Sequence, residues 1–380
     1  MKQIKSAPKS RTGFRGAFFE KKSGVLEEGC FYGDEKTFRG NLLTFARKSS
    51  MIEFVITPQQ KEAKSVFGWA FLGCGNIAAQ VADEVIGERE MKIVSCWNRT
   101  LPRAEAFAEK YGSRAFASAE QAIAAEGVNA AYIAVTANKH LEYIRMCLSR
   151  GVPVLCEKPF TVNAAEAREA FALARERGVY LAEAMWTWYN APAHTVRTWL
   201  REGRIGKVKR VTAKYAERYI DIPRFRSPEL LGGALVDIGV YPLRYAYELF
   251  GSPHGVTCRG EVRGGVDITE EISLDYGEFC AEIYVSIEDA RGEEFVIEGT
   301  QGTIRIPFFH MAGEASLEGR EKAHFTDDSP KYGTELRRAA EEIAAGRTES
   351  GYCPPRATLD TMQLLDECRR QLGLVYPCEQ

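Results

Sequence analysis

The feature that most constrains this chain is the alternation, from about Ser65 onwards, of short apolar runs with amphipathic stretches. Runs of strand length such as "VFGWAFLG", "MKIVSCW" and "NAAYIAV" are separated by stretches of helical periodicity such as "NIAAQVADEVIG" and "LPRAEAFAEKYG". Strands that alternate with amphipathic helices build a parallel sheet covered by helices on both faces. We therefore expect a doubly wound α/β domain over residues 65–190.

The pattern changes after about Ala191. Strand-like segments such as "KVKRVTAKYAERY", "GVTCRGEVRG" and "FCAEIYVSIED" then follow one another with turn signals between them, and two helical patterns end the chain. Such a succession predicts an antiparallel sheet. We therefore expect residues 191–380 to form a C-terminal α+β domain with an open, mainly antiparallel sheet.

Residues 1–64 follow neither a helical nor a strand period for long. Through Ser50 they carry more basic than acidic residues, whereas the remainder of the chain is acidic. This break in composition predicts an appended, weakly ordered N-terminal segment, and Met51 is an alternative start of translation. We assign this segment no function.

Composition excludes several classes of ligand. The 50 basic and 52 acidic residues give a formal net charge of −2, so no overall field attracts nucleic acid or a membrane surface. No apolar run approaches the ~20 residues of a membrane span. The ten cysteines are scattered singly, which favours reduced thiols in the cytoplasm, and none of the five histidines has a partner at metal-ligand spacing. We expect a small-molecule ligand held by a local site, and no metal.

A glycine motif lies between the first apolar run and the first amphipathic stretch. Gly73, Gly75 and Ala78 fit G-x-G-x-x-A, with Asn76 and Ile77 inside the motif. Gly73 allows a sharp turn, Gly75 leaves room for a pyrophosphate, and Ala78 lets the helix approach the strand. Alone, such a motif is equally a structural turn. Followed by several strand and helix units, it predicts a dinucleotide site.

The end of the second strand bears on which dinucleotide binds. Sites for NAD commonly place Asp or Glu there, to bind the ribose hydroxyls. This chain has "SCWNRT" instead, with Asn98 and Arg99 at the strand end and Arg103 in the next helix turn. The arginines either pair with a 2′-phosphate or are ordinary surface residues. We expect NADP(H) to be preferred, with NAD(H) possible.

Two further segments predict catalytic chemistry. "VLCEKPF" places Glu157 and Lys158 just past a buried strand, at the rim where such sheets bind ligands. In "GGALVDIGVYPL", Asp237 and Tyr241 are four residues apart and project from one helix face, which we expect Pro242 to kink. Although lysine is usually solvated and tyrosine usually a core residue, at this rim Lys158 would favour the phenolate of Tyr241.

Aromatic and basic residues near these segments are candidates for substrate binding. Trp186 follows the last strand of the α/β domain in "EAMWTWYN", where it either stacks on a sugar ring or fills the domain junction. Arg226, or Arg224 beside it, either contacts substrate hydroxyls or is solvated.

Five segments in this order, "GCGNIA", "CEKP", "EAMWTWYN", "GGALVDIGVYPL" and "IEGTQGTIRIP", resemble the Gfo/Idh/MocA oxidoreductases. The likeness covers residues 65–375 and is closest to the branch of dimeric dihydrodiol dehydrogenase, D-xylose dehydrogenase and glucose–fructose oxidoreductase. It implies a Rossmann domain followed by an α+β domain whose open sheet often forms the oligomer interface, and hence a homodimer or larger homo-oligomer.

The resemblance also implies residue roles and an activity. Lys158 would be the lysine of the E-K-P motif, Tyr241 the acid/base, and Asp237 a substrate-positioning or proton-relay carboxylate. The further residues implied at the cofactor are Thr136, Asn138, His140 and Glu157. "VTANKH" departs from the more usual T-P-N-x-x-H of the family. The implied reaction moves a hydride between nicotinamide and a CH–OH or C=O group of a sugar, cyclic polyol or trans-dihydrodiol.

Two other functions remain open under the same resemblance. Related glycosidases retain NAD and end by hydrolysing a glycosidic bond, and related repressors bind a dinucleotide without catalysing a reaction. Intact Lys158, Asp237 and Tyr241 favour the dehydrogenase over the regulatory protein.

Overall fold

We analysed a computed structural model of the chain. It describes residues 14–22, 25–33, 41–48, 51–58, 66–311, 313–329 and 331–380, and the side chains of the last three of these ranges. The chain divides into two compact units, Met1–Ser65 and Val66–Gln380.

Within the described residues of the first unit, four strands pair as two antiparallel hairpins. Strand β1 (Phe14–Lys22) pairs with β2 (Val25–Gly33), and β3 (Asn41–Lys48) pairs with β4 (Met51–Pro58). The sequence analysis places no element here, because no long alternation of apolar and polar residues marks these strands. The weak order expected for residues 1–64 stays a prediction.

The second unit begins with a six-stranded sheet in which all neighbouring strands are parallel. Its strands are β5 (Phe67–Leu72), β6 (Met91–Trp97), β7 (Arg114–Phe116), β8 (Ala130–Ile133), β9 (Val154–Glu157) and β10 (Leu181–Ala184). Its helices are α1 (Asn76–Val85), α2 (Leu101–Tyr111), α3 (Ala119–Ile123), α4 (His140–Ser149) and α5 (Ala164–Arg177). The strand order is β10-β9-β8-β5-β6-β7, which is the Rossmann order, with the switch point between β5 and β8.

The sequence forms these elements for simple reasons of burial. Strands β8, β9 and β10 are buried along their whole length, as their apolar runs predict. Helix α1 buries Ala78, Val81, Ala82 and Val85, which lie on one face at helical spacing. Strand β7 and helix α3 are not in the sequence prediction, since they are only three and five residues long.

A second, eight-stranded sheet follows. Its strands are β11 (Val208–Ala216), β12 (Gly255–Arg263), β13 (Val266–Asp275), β14 (Cys280–Ser286), β15 (Gly292–Gly299), β16 (Gly302–Pro307), β17 (Glu314–Gly319) and β18 (Ala323–Thr326). The order is β12-β13-β14-β11-β15-β16-β17-β18. Strands β11 and β14 are parallel and the other neighbours antiparallel. The predicted fold class, a Rossmann domain followed by an α+β domain with a mainly antiparallel sheet, is confirmed.

Four further helices complete the second unit. They are α6 (Ala191–Arg201), α7 (Val240–Phe250), α8 (Lys331–Ala344) and α9 (Pro355–Leu372). Helix α7 packs against β11 and β14, whereas α8 packs on α1 and α9 packs on α5. Helix α9 also packs on α7 and β12, so the last two helices include contacts on both sides of residue 190. The boundary at residue 190 stays a prediction.

In the described part of the chain, no helix is both long and apolar enough to cross a membrane. Within the same ranges, no group of three or more His, Cys, Asp and Glu side chains is arranged to hold a metal ion. The cysteines whose side chains are described are free thiols.

Candidate active site

The loop between β5 and α1 shows why each glycine of the motif is present. Gly73 has a φ of +103°, and a Cβ there would lie 2.5 Å from the carbonyl oxygen of Ala134, so the fold itself requires glycine. Gly75 has a φ of −87°, which any residue adopts, and a Cβ there would meet no described atom within 4 Å. The described packing therefore leaves open space beside Gly75, which is the space that a phosphate would need.

The start of α1 fits the same ligand. The helix begins at Asn76 with neither a side-chain cap nor an acidic residue in its first turn. Its first N–H groups are thus available to an anion, and the helix dipole favours negative charge there. Asn76 is exposed and Ile77 half-buried, while Ala78 is buried where the helix meets the sheet. The residues present fit the pyrophosphate of a dinucleotide.

The end of β6 lies beside this loop. The Asn98 side chain accepts the backbone N–H of Cys74 at 3.3 Å and donates to the carbonyl of Thr100 at 3.2 Å, so it joins the ends of β5 and β6. Arg99 and Arg103 are exposed on either side of the start of α2, whose first turn has no acidic residue. This edge therefore offers cations and no carboxylate for the ribose.

The loop after β8 contains the next three predicted residues. Thr136 is exposed, and the Asn138 amide donates to the carbonyl of Glu229 at 2.9 Å. His140 is buried, and its ring nitrogens lie 3.1 to 3.2 Å from the carbonyl oxygens of Val135, Pro159 and Phe160. Burial lowers the pKa of His140. The His140 ring thus links the loop after β8 to the segment that follows β9.

The three predicted catalytic side chains come together at the carboxyl end of β9. The Lys158 ammonium donates to the backbone carbonyl of Asp237 at 2.8 Å and to its carboxylate at 3.3 Å. The same ammonium lies 4.9 Å from the centre of the Tyr241 ring. All three side chains are largely buried. The position of Lys158 at the rim of the sheet and the four-residue spacing of Asp237 and Tyr241 therefore bring these three side chains together.

A π turn shapes the segment that holds Asp237. Leu235–Gly239 form a single π turn directly before α7, and the N–H of Gly239 donates to the carbonyl of Ala234. Pro242 follows three residues after this turn, in the first turn of α7, and the kink expected at Pro242 stays a prediction. π turns are frequent at functional sites.

A second cation holds the other oxygen of Asp237. The Arg224 guanidinium lies 2.7 Å from Oδ2, and the Lys158 ammonium lies on the side of Oδ1. Arg226, two residues further on, is exposed. The structure therefore brings Arg224, and not Arg226, into contact with Asp237.

Tyr241 is a neutral phenol. Its hydroxyl accepts a hydrogen bond from the indole N–H of Trp186 at 3.0 Å. Burial raises the pKa of Tyr241 well above its usual value, and the carboxylates of Glu157 and Asp237 act in the same direction. The expectation that Lys158 favours the phenolate stays a prediction, carried by the 4.9 Å between its ammonium and the Tyr241 ring centre. Because Trp186 supplies the donor, the phenol keeps its own O–H available for donation.

The aromatic residues after β10 are all buried. Trp186 stacks on Tyr332 of α8 with ring centres 4.6 Å apart, so it forms a fixed wall beside Tyr241. Trp188 and Tyr189 are also buried and fill the interior. Of the two alternatives for these aromatics, the structure shows burial, and a stacking role for Trp186 stays a prediction.

Two buried carboxyl groups lie behind this group. Glu157 accepts the Tyr132 hydroxyl at 2.5 Å and the backbone N–H of Lys158 at 3.2 Å. Glu335 of α8 is fully buried, and neither of its oxygens has a hydrogen-bond partner among the described residues. Burial and the nearby Glu157 raise the pKa of Glu335 well above its usual value. Glu335 is not among the residues predicted from the sequence, since one sequence does not distinguish a buried acid from a solvated one.

Replacing Glu157 with glutamine is expected to flatten the pH dependence of stability. Burial raises the pKa of Glu157 from 4.5 to about 7 in the folded protein. The folded state then binds the proton more tightly than the unfolded chain, so stability falls as pH rises from about 4.5 to about 7, by at most about 3 kcal/mol. Glutamine cannot ionise. Denaturant midpoints at about pH 5 and about pH 8 should therefore differ less in Glu157→Gln than in the wild type.

The exposed Glu142 offers a matched control for this comparison. Glu142→Gln should keep the wild-type pH dependence. If Glu157→Gln keeps it as well, the buried carboxyl does not titrate in this range.

Comparison with known proteins was consistent with these features. Residues 67–185 match the oxidoreductase family with an NAD-binding Rossmann fold, Gfo/Idh/MocA, and residues 193–305 match a Gfo/Idh/MocA C-terminal domain. A scyllo-inositol 2-dehydrogenase (NADP(+)) of Bacillus subtilis is 30% identical over 326 residues, covering 82% of this chain and 99% of the relative. The human trans-1,2-dihydrobenzene-1,2-diol dehydrogenase is 29% identical over 331 residues, covering 81% and 98%.

Solved structures share the fold. A 3-ketoreductase from Actinomadura kijaniata, in complex with NADP and TDP-benzene, aligns with a TM-score of 0.73 and 24% identity over 80% of this chain and 97% of the other. The aldose-aldose oxidoreductase from Caulobacter crescentus aligns with a TM-score of 0.73 and 19% identity over 81% and 97%. With both domain matches and a relative of 30% identity along nearly its whole length, the chain belongs to the Gfo/Idh/MocA oxidoreductase family.

Proposed function

We propose that the protein is an NAD(P)-dependent oxidoreductase that acts on a CH–OH or C=O group of a sugar, cyclic polyol or trans-dihydrodiol. The observation that carries this proposal is the contact of Lys158 and Asp237 beside the neutral phenol of Tyr241, at the rim of the Rossmann sheet. Relatives named as inositol and dihydrodiol dehydrogenases support the substrate class.

Each side chain has a part in the proposed reaction. The bound nicotinamide supplies or accepts the hydride. In reduction, the phenol of Tyr241 donates its proton to the carbonyl oxygen and becomes a phenolate. Oxidation is the reverse step, in which the phenolate of Tyr241 takes the proton from the substrate hydroxyl. The Lys158 ammonium stabilises the negative charge that develops on this oxygen. Asp237 positions Lys158, and Arg224 fixes Asp237 from its other side.

The direct test is an assay of cofactor turnover. Aldoses, inositols and trans-dihydrodiols are offered with NADP⁺ and with NAD⁺, and reduced cofactor is followed by its absorbance. Stoichiometric reduction of the cofactor supports the proposal. Hydrolysis of a glycoside without net change in the cofactor would favour the glycosidase instead, and no turnover of any compound would favour the regulatory protein.

Arg99 is expected to set the preference for NADP(H). A charge-assisted hydrogen bond to the 2′-phosphate contributes about 1.5 to 3 kcal/mol. Arg99→Ala should therefore raise the KM for NADP⁺ about 10- to 100-fold and leave that for NAD⁺ nearly unchanged. Steady-state kinetics with both cofactors measure this difference.

Arg89 provides the control, because it is exposed and precedes β6, whereas Arg99 follows that strand. Arg89→Ala should change neither KM. An equal effect of Arg99→Ala on both cofactors would show that Arg99 does not contact a 2′-phosphate.

We further propose that the chain forms a homodimer or larger homo-oligomer through its C-terminal sheet and works in the cytoplasm. Side chains along β13 and β14 alternate between buried and more exposed positions, which leaves one face of the sheet accessible. The free thiols of the described cysteines are typical of a reducing compartment. Light scattering on the eluting protein tests the oligomer.

A further inference from the structure

Glu293 and His310 form a hydrogen-bonded pair that has no role in the proposed reaction. We call it a clamped pair, because both oxygens of Glu293 contact His310. Glu293 lies on β15 with its side chain 2% exposed, and His310 lies in the turn after β16. One oxygen of Glu293 accepts the backbone N–H of His310 at 2.6 Å, and the other lies 2.5 Å from the ring Nδ1. The carbonyl of His310 accepts the Thr187 hydroxyl at 2.7 Å. Backbone and ring are thus fixed together.

The clamped ring stands beside the catalytic phenol. Its centre lies 5.4 Å from that of Tyr241 and 5.6 Å from that of Trp186, edge-on to both, and it stacks on Tyr215 at 4.8 Å. The free nitrogen, Nε2, lies 3.4 Å from the Tyr215 hydroxyl, which is long for a hydrogen bond. The His310 side chain is 19% exposed. The His310 ring therefore lies next to Tyr241 in a fixed orientation, and its Nε2 makes at most a weak hydrogen bond.

This geometry suits an oxygen next to the reacting one. With Glu293 accepting from Nδ1–H, Nε2 accepts a hydrogen bond when the ring is neutral and donates one when it is protonated, and a hydroxyl group matches either state. Oxygens on adjacent carbons are separated by about the length of one hydrogen bond. Because the ring centres of Tyr241 and His310 are 5.4 Å apart, a vicinal pair is of the right size to contact both rings.

We propose that His310, positioned by Glu293, binds through Nε2 the hydroxyl on the carbon next to the reacting carbon, and so selects vicinal diols and polyols over simple alcohols. The inference rests on the proposed function, because it places the reacting oxygen at Tyr241. His310 is then a specificity residue and Glu293 a positioning residue.

Two substitutions at His310 distinguish a role in binding the substrate hydroxyl from a purely structural role of the bond to Glu293. His310→Asn keeps a donor near Nδ1, so the bond to Glu293 is preserved while Nε2 is lost. His310→Gln instead places an amide near the position of Nε2. The probes are trans-cyclohexane-1,2-diol and cyclohexanol, which share a ring and differ by one hydroxyl, each assayed in the wild-type full chain and both variants with saturating NADP⁺.

The measured quantity is the ratio of kcat/KM for the diol to that for the monoalcohol. We expect His310→Asn to lower this ratio about 10- to 100-fold, mainly through KM, and His310→Gln to restore part of it. The KM for NADP⁺ and the melting temperature should change little. Glu293→Gln should lower the ratio in the same direction, because the ring loses its fixed orientation.

The outcomes distinguish this inference from the proposed function. An unchanged ratio in His310→Asn, or equal losses on both alcohols, would mean that the pair has only a structural role and would overturn the inference. If one His310 variant fails to fold, the ratio of kcat/KM for the diol to that for the monoalcohol is measured in the other His310 variant and in Glu293→Gln, and these values test the inference. If the wild type turns over neither probe nor any sugar, inositol or dihydrodiol with either cofactor, the proposed function itself fails, before any variant is compared.

Discussion

Replacing Tyr241 with phenylalanine should lower kcat by about 10²- to 10⁴-fold, the usual contribution of a positioned general acid or base. The ring, its contact with the Lys158 ammonium and its packing remain in the variant, so the loss is confined to the hydroxyl. Affinity for the cofactor should stay within about threefold, since none of the glycine loop residues is touched. Steady-state kinetics and cofactor titration measure the two effects separately.

Tyr332→Phe is the matched control. Tyr332 is a partly buried tyrosine that stacks on the other side of this cluster, against Trp186, whereas the hydroxyl that Trp186 bonds belongs to Tyr241. Tyr332→Phe should therefore keep most of the activity. Tyr241→Phe leaves the Trp186 N–H without its partner, which costs about 1 to 3 kcal/mol of stability. Near-normal turnover in Tyr241→Phe would reject the acid/base role.

The fold was predictable because its buried strands coincide with runs of apolar residues in the sequence. Strands β5 to β10, apart from the three-residue β7, lie within segments recognised by this pattern, and the helices between them bury residues at helical spacing. The last two strands of the second sheet, β17 and the edge strand β18, were missed, since they are only six and four residues long and carry little pattern. The return of α8 and α9 to the Rossmann part depends on tertiary packing, which local periodicity does not encode.

The site was predictable where it depends on sheet topology. Lys158 follows a parallel strand, and residues at that position lie at the ligand-binding rim in any sheet of this order. The electrostatics was not predictable, because the raised pKa of Tyr241 depends on its burial beside Glu157 and Asp237, which are distant in sequence. The clamp of Glu293 on His310 likewise joins two elements 17 residues apart and has no motif.

The glycine loop offers a direct test of the dinucleotide site, because its two glycines should respond in opposite ways. Gly75→Val places a side chain where the protein has no described atom within 4 Å, so unfolding stability should change by less than about 1 kcal/mol. The same side chain enters the space left for the pyrophosphate. Affinity for NADP⁺, measured by calorimetric titration, should fall at least about 100-fold, which is about 3 kcal/mol.

Gly73→Ala should do the reverse. Its Cβ would overlap the backbone of Ala134 at 2.5 Å and force alanine into a φ of +103°, so the melting temperature should fall markedly even without cofactor. If the loop is only a tight turn, Gly73→Ala is still unstable, but Gly75→Val has no specific effect on NADP⁺. Wild-type affinity in a folded Gly75→Val protein would therefore rule out pyrophosphate binding at this loop, because no phosphate could lie against a helix start already covered by a valine side chain.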